Sequence, residues 1–140
     1  MPKHPNNTLP ADLGKLILRV ILAILILFHG ISKILHGIDL IIGMIVKTGL
    51  PPAVAYLVYF GEVLAPALVL IGLWTRPAAV VIAINMTVAV LLVHTSQFFT
   101  LAKSGGWALE LQGMYFFCAL AVALLGAGRF SIGGADGKWN

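Results

Sequence analysis

One cysteine, Cys118, is all the thiol chemistry this chain of 140 residues contains. A disulfide within the chain is excluded, and so is an internal dithiol shuttle. There is no Cys-x-x-Cys, no His-Glu-x-x-His and no flavin, nicotinamide or iron–sulfur motif, so the chain alone does not carry electrons over a distance. Charge is scarce too: nine basic and five acidic residues make up 10% of the chain, against 60% hydrophobic. At a mean hydropathy of +1.01, too little polar surface is left to coat a small soluble fold with its high surface-to-volume ratio. The composition is that of an integral membrane protein.

Four long apolar segments occupy most of the chain, at about 13–34, 53–74, 77–95 and 107–127. Each has the ~20 residues that a helix needs to cross ~30 Å of hydrocarbon. Lipid offers unpaired backbone groups no partner, so helices are required, and the alternation of a β-barrel strand is missing. Residues 1–12, polar and rich in proline, read as a disordered lead with Asp12 capping the first helix. No small-residue cleavage site follows the first apolar stretch, which is expected to stay in the mature protein. Residues 13–128 form the membrane domain and 129–140 a short tail. Four spans place both termini on one side, with Lys3, Lys15, Arg76, Arg129 and Lys138 there and Lys33, Lys47 and Lys103 opposite. The positive-inside rule makes that side the cytoplasm.

The turn Trp74-Thr75-Arg76-Pro77 is short enough to force an antiparallel pair, with Pro77 in the first turn of the next helix. The first connection, Leu35 to Pro52, is longer and still apolar. It reads as a short helix in the outer interface or folded back into the bundle, placed as a lid. The expected fold is all-α: an integral membrane four-helix bundle with a short interfacial or re-entrant helix between helices 1 and 2.

Inside these segments stand Arg19, His29, Lys33, Glu62, Asn85, His94 and Glu110. Charge in lipid is costly, so each needs a reason to be there. By depth, His29, Lys33, Glu62, His94 and Glu110 fall in one half of the bundle, as a polar pocket requires. Glu62, roughly 13 Å down, has to be protonated, paired with a cation or hydrated in a cavity. Structural alternatives stand beside the functional ones. Lys33 and Arg19 can snorkel to the headgroups, His29 can bond a neighbouring helix, and Asn85 is a common interhelical hydrogen-bonding residue. Two histidines on separate helices suit haem or copper ligation only weakly, and no metal site is assigned.

The order and spacing of several motifs resemble the DoxX family of small bacterial and archaeal membrane proteins. They are Leu18-Arg19, Phe28-His29-Gly30-Ile31-Ser32-Lys33, Gly49-Leu50-Pro51, Glu62, Gly72-Leu73-Trp74-Thr75-Arg76-Pro77, His94, Glu110 and Gly126-Ala127-Gly128-Arg129-Phe130-Ser131. The resemblance covers nearly the whole chain. It implies a four-helix membrane protein of redox metabolism, similar to the membrane subunit of a thiosulfate:quinone oxidoreductase, with the electron donor supplied by a partner.

On this reading the cofactor is a quinone, with haem or copper as the weaker choice. His29, Glu62, His94 and Glu110 are the candidate catalytic residues. His29, Lys33, Tyr59, Asn85 and His94 are the candidate binding residues. A quinone needs an apolar slot, donors to its carbonyl oxygens and proton carriers, which these residue types supply. The expected partners are the lipid bilayer, a soluble redox enzyme and a second copy of the chain, with no nucleic acid. The expected location is a bacterial or archaeal cell membrane. The alternatives are a non-catalytic anchor that docks a soluble enzyme through Arg76 and Arg129, and a metal-binding or solute-transport protein.

Overall fold

A computed structural model describes residues 8–140. The expected disordered lead falls largely on residues 1–7, outside the described residues. Its last part is helical, because α1 (Leu9–His36) starts before Asp12. Pro10 is the reason: a proline in the first helical turn needs no N–H bond and sets the right φ. Asp12 is therefore not a cap. It is buried in that first turn, where its Oδ1 accepts the Arg129 N–H at 3.5 Å and its Oδ2 lies 3.5 Å from Arg129 Nε.

All of the regular elements among the described residues are helical, and a single isolated bridge joins Leu101 and Trp107. After α1 come α2 (Asp39–Lys47), α3 (Ala65–Ile71), α4 (Thr75–Val93) and α5 (Glu110–Leu125). α1 and α4 pack on α3 and α5, and all four share one core. Its centre is Ala23 and Ile26 of α1, Val69 of α3, Ala79 and Ile82 of α4, and Ala119 and Val122 of α5. Alanine at three of these places brings the backbones close.

Two stretches are long and apolar enough to cross a membrane, Pro52–Ile71 and Thr75–Val93. The first is not one regular helix. It begins as a 3₁₀ turn (Pro52–Leu57), widens into a π turn (Phe60–Leu64) and only then becomes α3. It ends at Gly72 in the left-handed conformation, before the expected limit at residue 74, and Trp74 is also left-handed at φ 49°. The tight connection and the position of Pro77 are as expected. The last helix, by contrast, is only 16 residues long. Residues 107–109 belong instead to a loop closed by Ala102 N–H to Gly106 O (2.8 Å) and Ala108 N–H to Thr100 O (3.0 Å).

One end of the fold is tied by hydrogen bonds between distant elements. Arg19 is buried rather than snorkelling: it donates to the carbonyls of Val69 (2.9 Å), Leu70 (2.5 Å) and Phe130. They include the Leu70 carbonyl, which α3 leaves free where Gly72 stops it. Arg76 does the same for α5, donating to Ala123 (2.9 Å) and Leu124 (2.8 Å). The tail lies back across this end. Ile132 and Gly133 donate to the carbonyls of Ile71 and Gly72, and the buried Asn140 accepts from Thr75 Oγ1 at 2.8 Å.

Candidate functional site

At the other end, a cavity of about 560 Å³ lies between α2, the Pro52–Leu64 stretch and α4. Its wall is apolar except for Lys33, Glu62 and Asn85. Their meeting follows from three local features of the chain. Pro66 stands four residues after Glu62 and has no N–H for the Glu62 carbonyl, so a regular α-turn cannot close there. The chain widens into the π turn, in which the Ala65 N–H bonds to the Phe60 carbonyl five residues back. Such turns recur at functional sites. The second feature is Gly30. A Cβ at Gly30 would overlap the Glu62 carbonyl and stand 2.7 Å from Val63 Cγ2, so only glycine allows α1 to pass this close. Lys33 is one turn further along the same face of α1.

The third feature is Gly61, against which the Asn85 side chain lies. As a result both carboxylate oxygens of Glu62 are engaged. Lys33 Nζ donates to Oε2, and Asn85 Nδ2 donates to Oε1 at 3.3 Å. Tyr59 donates to the Lys33 carbonyl at 3.3 Å and braces that turn of α1. Of the three states open to a deep carboxylate, Glu62 adopts the ion pair. Its side chain is 8% exposed and that of Lys33 is 24% exposed, so the lysine end is the less buried one.

α2 forms one wall of the cavity through Ile41 and Ile45, with Ile38 and Ile45 packed against Ala55. The apolar connection is thus helical and folded onto the other helices, one of the two arrangements its composition allows. A smaller space of about 290 Å³ lies between α4 and α5, among Phe98, Trp107, Gln112 and Phe116.

The remaining candidates do not line this cavity. His29 is exposed, its Nδ1 is 3.0 Å from the Leu25 carbonyl and its ring is edge-on to Tyr115 with centroids 6.0 Å apart. His94 Nδ1 is 3.2 Å from Gln97 Oε1, and its Nε2 is 3.4 Å from Gln112 Nε2. Glu110 is exposed at the start of α5 and accepts the Trp107 N–H at 3.1 Å, which fixes the loop that leads into the helix. Equal depth placed these residues together, but rotation about each helix axis separates them. Among the described residues no group of three or more His, Cys, Asp or Glu side chains gathers as a metal site.

Sequence reasoning passed over Gly61, Pro66 and Gln112, and gave Gly30 no role beyond its place in a motif. Pro66 carried a readable signal, since a proline inside an apolar helix frees the carbonyl four residues before it. That residue is Glu62.

The DoxX family model matches residues 14–95, which contain Lys33, Glu62 and Asn85. Over 82 residues the chain is 35% identical to a Bacillus subtilis (strain 168) protein named "Putative oxidoreductase CatD". The match takes in 59% of this chain and 60% of the relative, so the chain spans less than two thirds of that protein's length. No solved structure gives a significant match. With more than half of its length under the family model, the chain belongs to the DoxX family.

Proposed function

We propose that this protein is an integral membrane four-helix bundle with cytoplasmic termini whose cavity holds the ring of a quinone, as the membrane subunit of an oxidoreductase. The spans are α1, Pro52–Ile71, α4 and α5. Large apolar side chains face outward on each: Ile21 and Phe28, Leu57 and Phe60, Ile84 and Leu91, Phe117 and Leu124. Water would tolerate so wide an apolar surface poorly, whereas lipid accommodates it.

The observation that carries the quinone reading is the Lys33–Glu62–Asn85 cluster in an otherwise apolar cavity. A volume of about 560 Å³ suits a small organic ligand. An ammonium has three N–H donors and a carboxamide two, so Lys33 and Asn85 retain donors for a carbonyl oxygen after serving Glu62. The cluster carries no net charge when Lys33 and Glu62 are ionised, which favours a neutral head over a phosphate or a fatty-acid carboxylate. Glu62 is the carboxylate at the cavity that suits proton exchange with such a ligand, and electrons come from a soluble redox partner. The relative named as an oxidoreductase agrees with this class of chemistry.

The anchor reading has less support. Arg76 is engaged with carbonyl oxygens and Arg129 with Asp12, which leaves less free charge for a docking partner. Haem or copper also has less support, because His29 and His94 do not line the cavity and, among the described residues, no group of three or more His, Cys, Asp or Glu side chains gathers.

The test is mass spectrometry of the protein purified in mild detergent, as wild type and as Glu62→Gln and Asn85→Ala. Quinone should accompany the wild type and fall in both variants. Its absence from the wild type, or equal retention in all three, rejects the reading.

A further inference from the structure

We infer that the ligand enters this cavity sideways from the bilayer and leaves its tail there, so that the substrate class is long-tailed, lipid-soluble quinones rather than small water-soluble ones. This inference rests on the cavity being the quinone site. Seven residues line the cavity and are also exposed on the outside of the fold: Leu40 (81%), Leu57 (59%), Phe60 (56%), Val81 (38%), Ile84 (57%), Val88 (43%) and Val93 (47%). A side chain that does both stands at a mouth. Leu57 and Phe60 form one lip and Val81, Ile84 and Val88 the other, Leu40 of α2 and Val93 at the end of α4 continue the gap, and none of the seven side chains can hydrogen-bond.

The depth that the mouth reaches decides what passes through it: the gap runs from Val93 at the end of α4 inward past Ile84. Ile84 is nine residues from Thr75 and nine from Val93, the two ends of α4. At 1.5 Å per residue that is about 13 Å from either end, in the middle of the hydrocarbon if α4 spans the membrane. Water-soluble molecules are rare there and isoprenoid chains abundant. Asn85 follows Ile84 directly, so a ring bonded to the carboxamide has its substituent within reach of the gap. α2 and its buried Ile45 cover another side.

The experiment uses the full chain in nanodiscs loaded with a long-isoprenoid benzoquinone, with bound quinone extracted and quantified after washing. Four variants are compared with wild type: Ile84→Trp and Val88→Trp, which fill the mouth from exposed positions; Leu35→Trp, exposed and not on the cavity wall; and Asn85→Ala. Thermal melting checks that each is folded. The expected result is a loss of about tenfold or more in Ile84→Trp, Val88→Trp and Asn85→Ala, and no change in Leu35→Trp. A tail-less benzoquinone at equal bilayer concentration should displace the long-tailed one at least tenfold less well than an unlabelled long-tailed quinone. A loss in Asn85→Ala with full retention in both tryptophan mouth variants overturns the sideways entry and leaves the quinone site standing. Equal displacement by tail-less and long-tailed quinones overturns the substrate class. Full retention in all four variants, or no bound quinone in wild type, overturns both the inference and the reading beneath it.

Discussion

The Cβ that Gly61 lacks would stand 2.5 Å from Asn85 Cβ and 2.7 Å from Asn85 Oδ1, so the carboxamide occupies the space where a side chain at position 61 would be. This contact holds Asn85 against the π turn, where it reaches Glu62. Gly61→Ala should displace Asn85, lower stability by about 1 to 3 kcal/mol and weaken quinone retention. Melting in detergent together with a retention assay checks this; an unchanged melt would show that α4 yields freely.

The two partners of the ion pair should respond unequally to removal. Lys33→Met leaves a buried carboxylate with one weak donor, whereas Glu62→Gln leaves an ammonium on the less buried side of the pair. Lys33→Met should therefore be the more destabilising, by about 2 kcal/mol or more, with the double variant recovering part of the loss. A double-mutant cycle on unfolding measures both, and additive losses would mean that the pair is not coupled.

Arg19 serves three carbonyls from two separate parts of the chain. Lysine has the charge but not the planar fork, so Arg19→Lys should still cost about 1 to 3 kcal/mol, and Arg19→Met more. Limited proteolysis offers a second readout: cleavage after Arg129 should accelerate, because Phe130 loses its tie to α1.

The Asp12–Arg129 pair joins the first turn of α1 to the segment after α5, so both ends of the chain belong to one face of the membrane in the proposed topology. Reporter fusions at the N-terminus and C-terminus should both report the cytoplasm. Opposite reports would contradict the bundle, and two external reports would reverse its orientation.

Helix type and the deep carboxylate were legible in the sequence, because a long apolar run has few ways to satisfy its backbone and Glu62 has few ways to remain charged. The tight turn at Trp74–Pro77 was legible from its shortness and α2 from its apolar run, but the choice between lying in the interface and folding back was not. Lateral position was not. His29, His94 and Glu110 share a half of the fold with Glu62, but the apolar pattern around each helix is too even to fix which face turns inward when lipid and core are both apolar. Boundaries also shifted where side chains competed for backbone groups. Glu110 holds the Trp107 N–H and delays α5, while Pro10 lets α1 begin before Asp12. The inward turn of Arg19 required knowing that α3 stops at Gly72 and leaves its carbonyls there.

The two ends of the molecule are built from different materials. At the tail end, guanidinium groups and the Asn140 carboxamide knit helix termini to the closing segment through directional bonds that break only if geometry changes. At the cavity end, α2 is held to Ala55 by oily contacts and is flanked by the left-handed glycines Gly37 and Gly49. Contacts of that kind tolerate sliding. The protein thus has a stiff base and a compliant crown, and amide exchange should be slowest around residues 69–76 and fastest across residues 37–49.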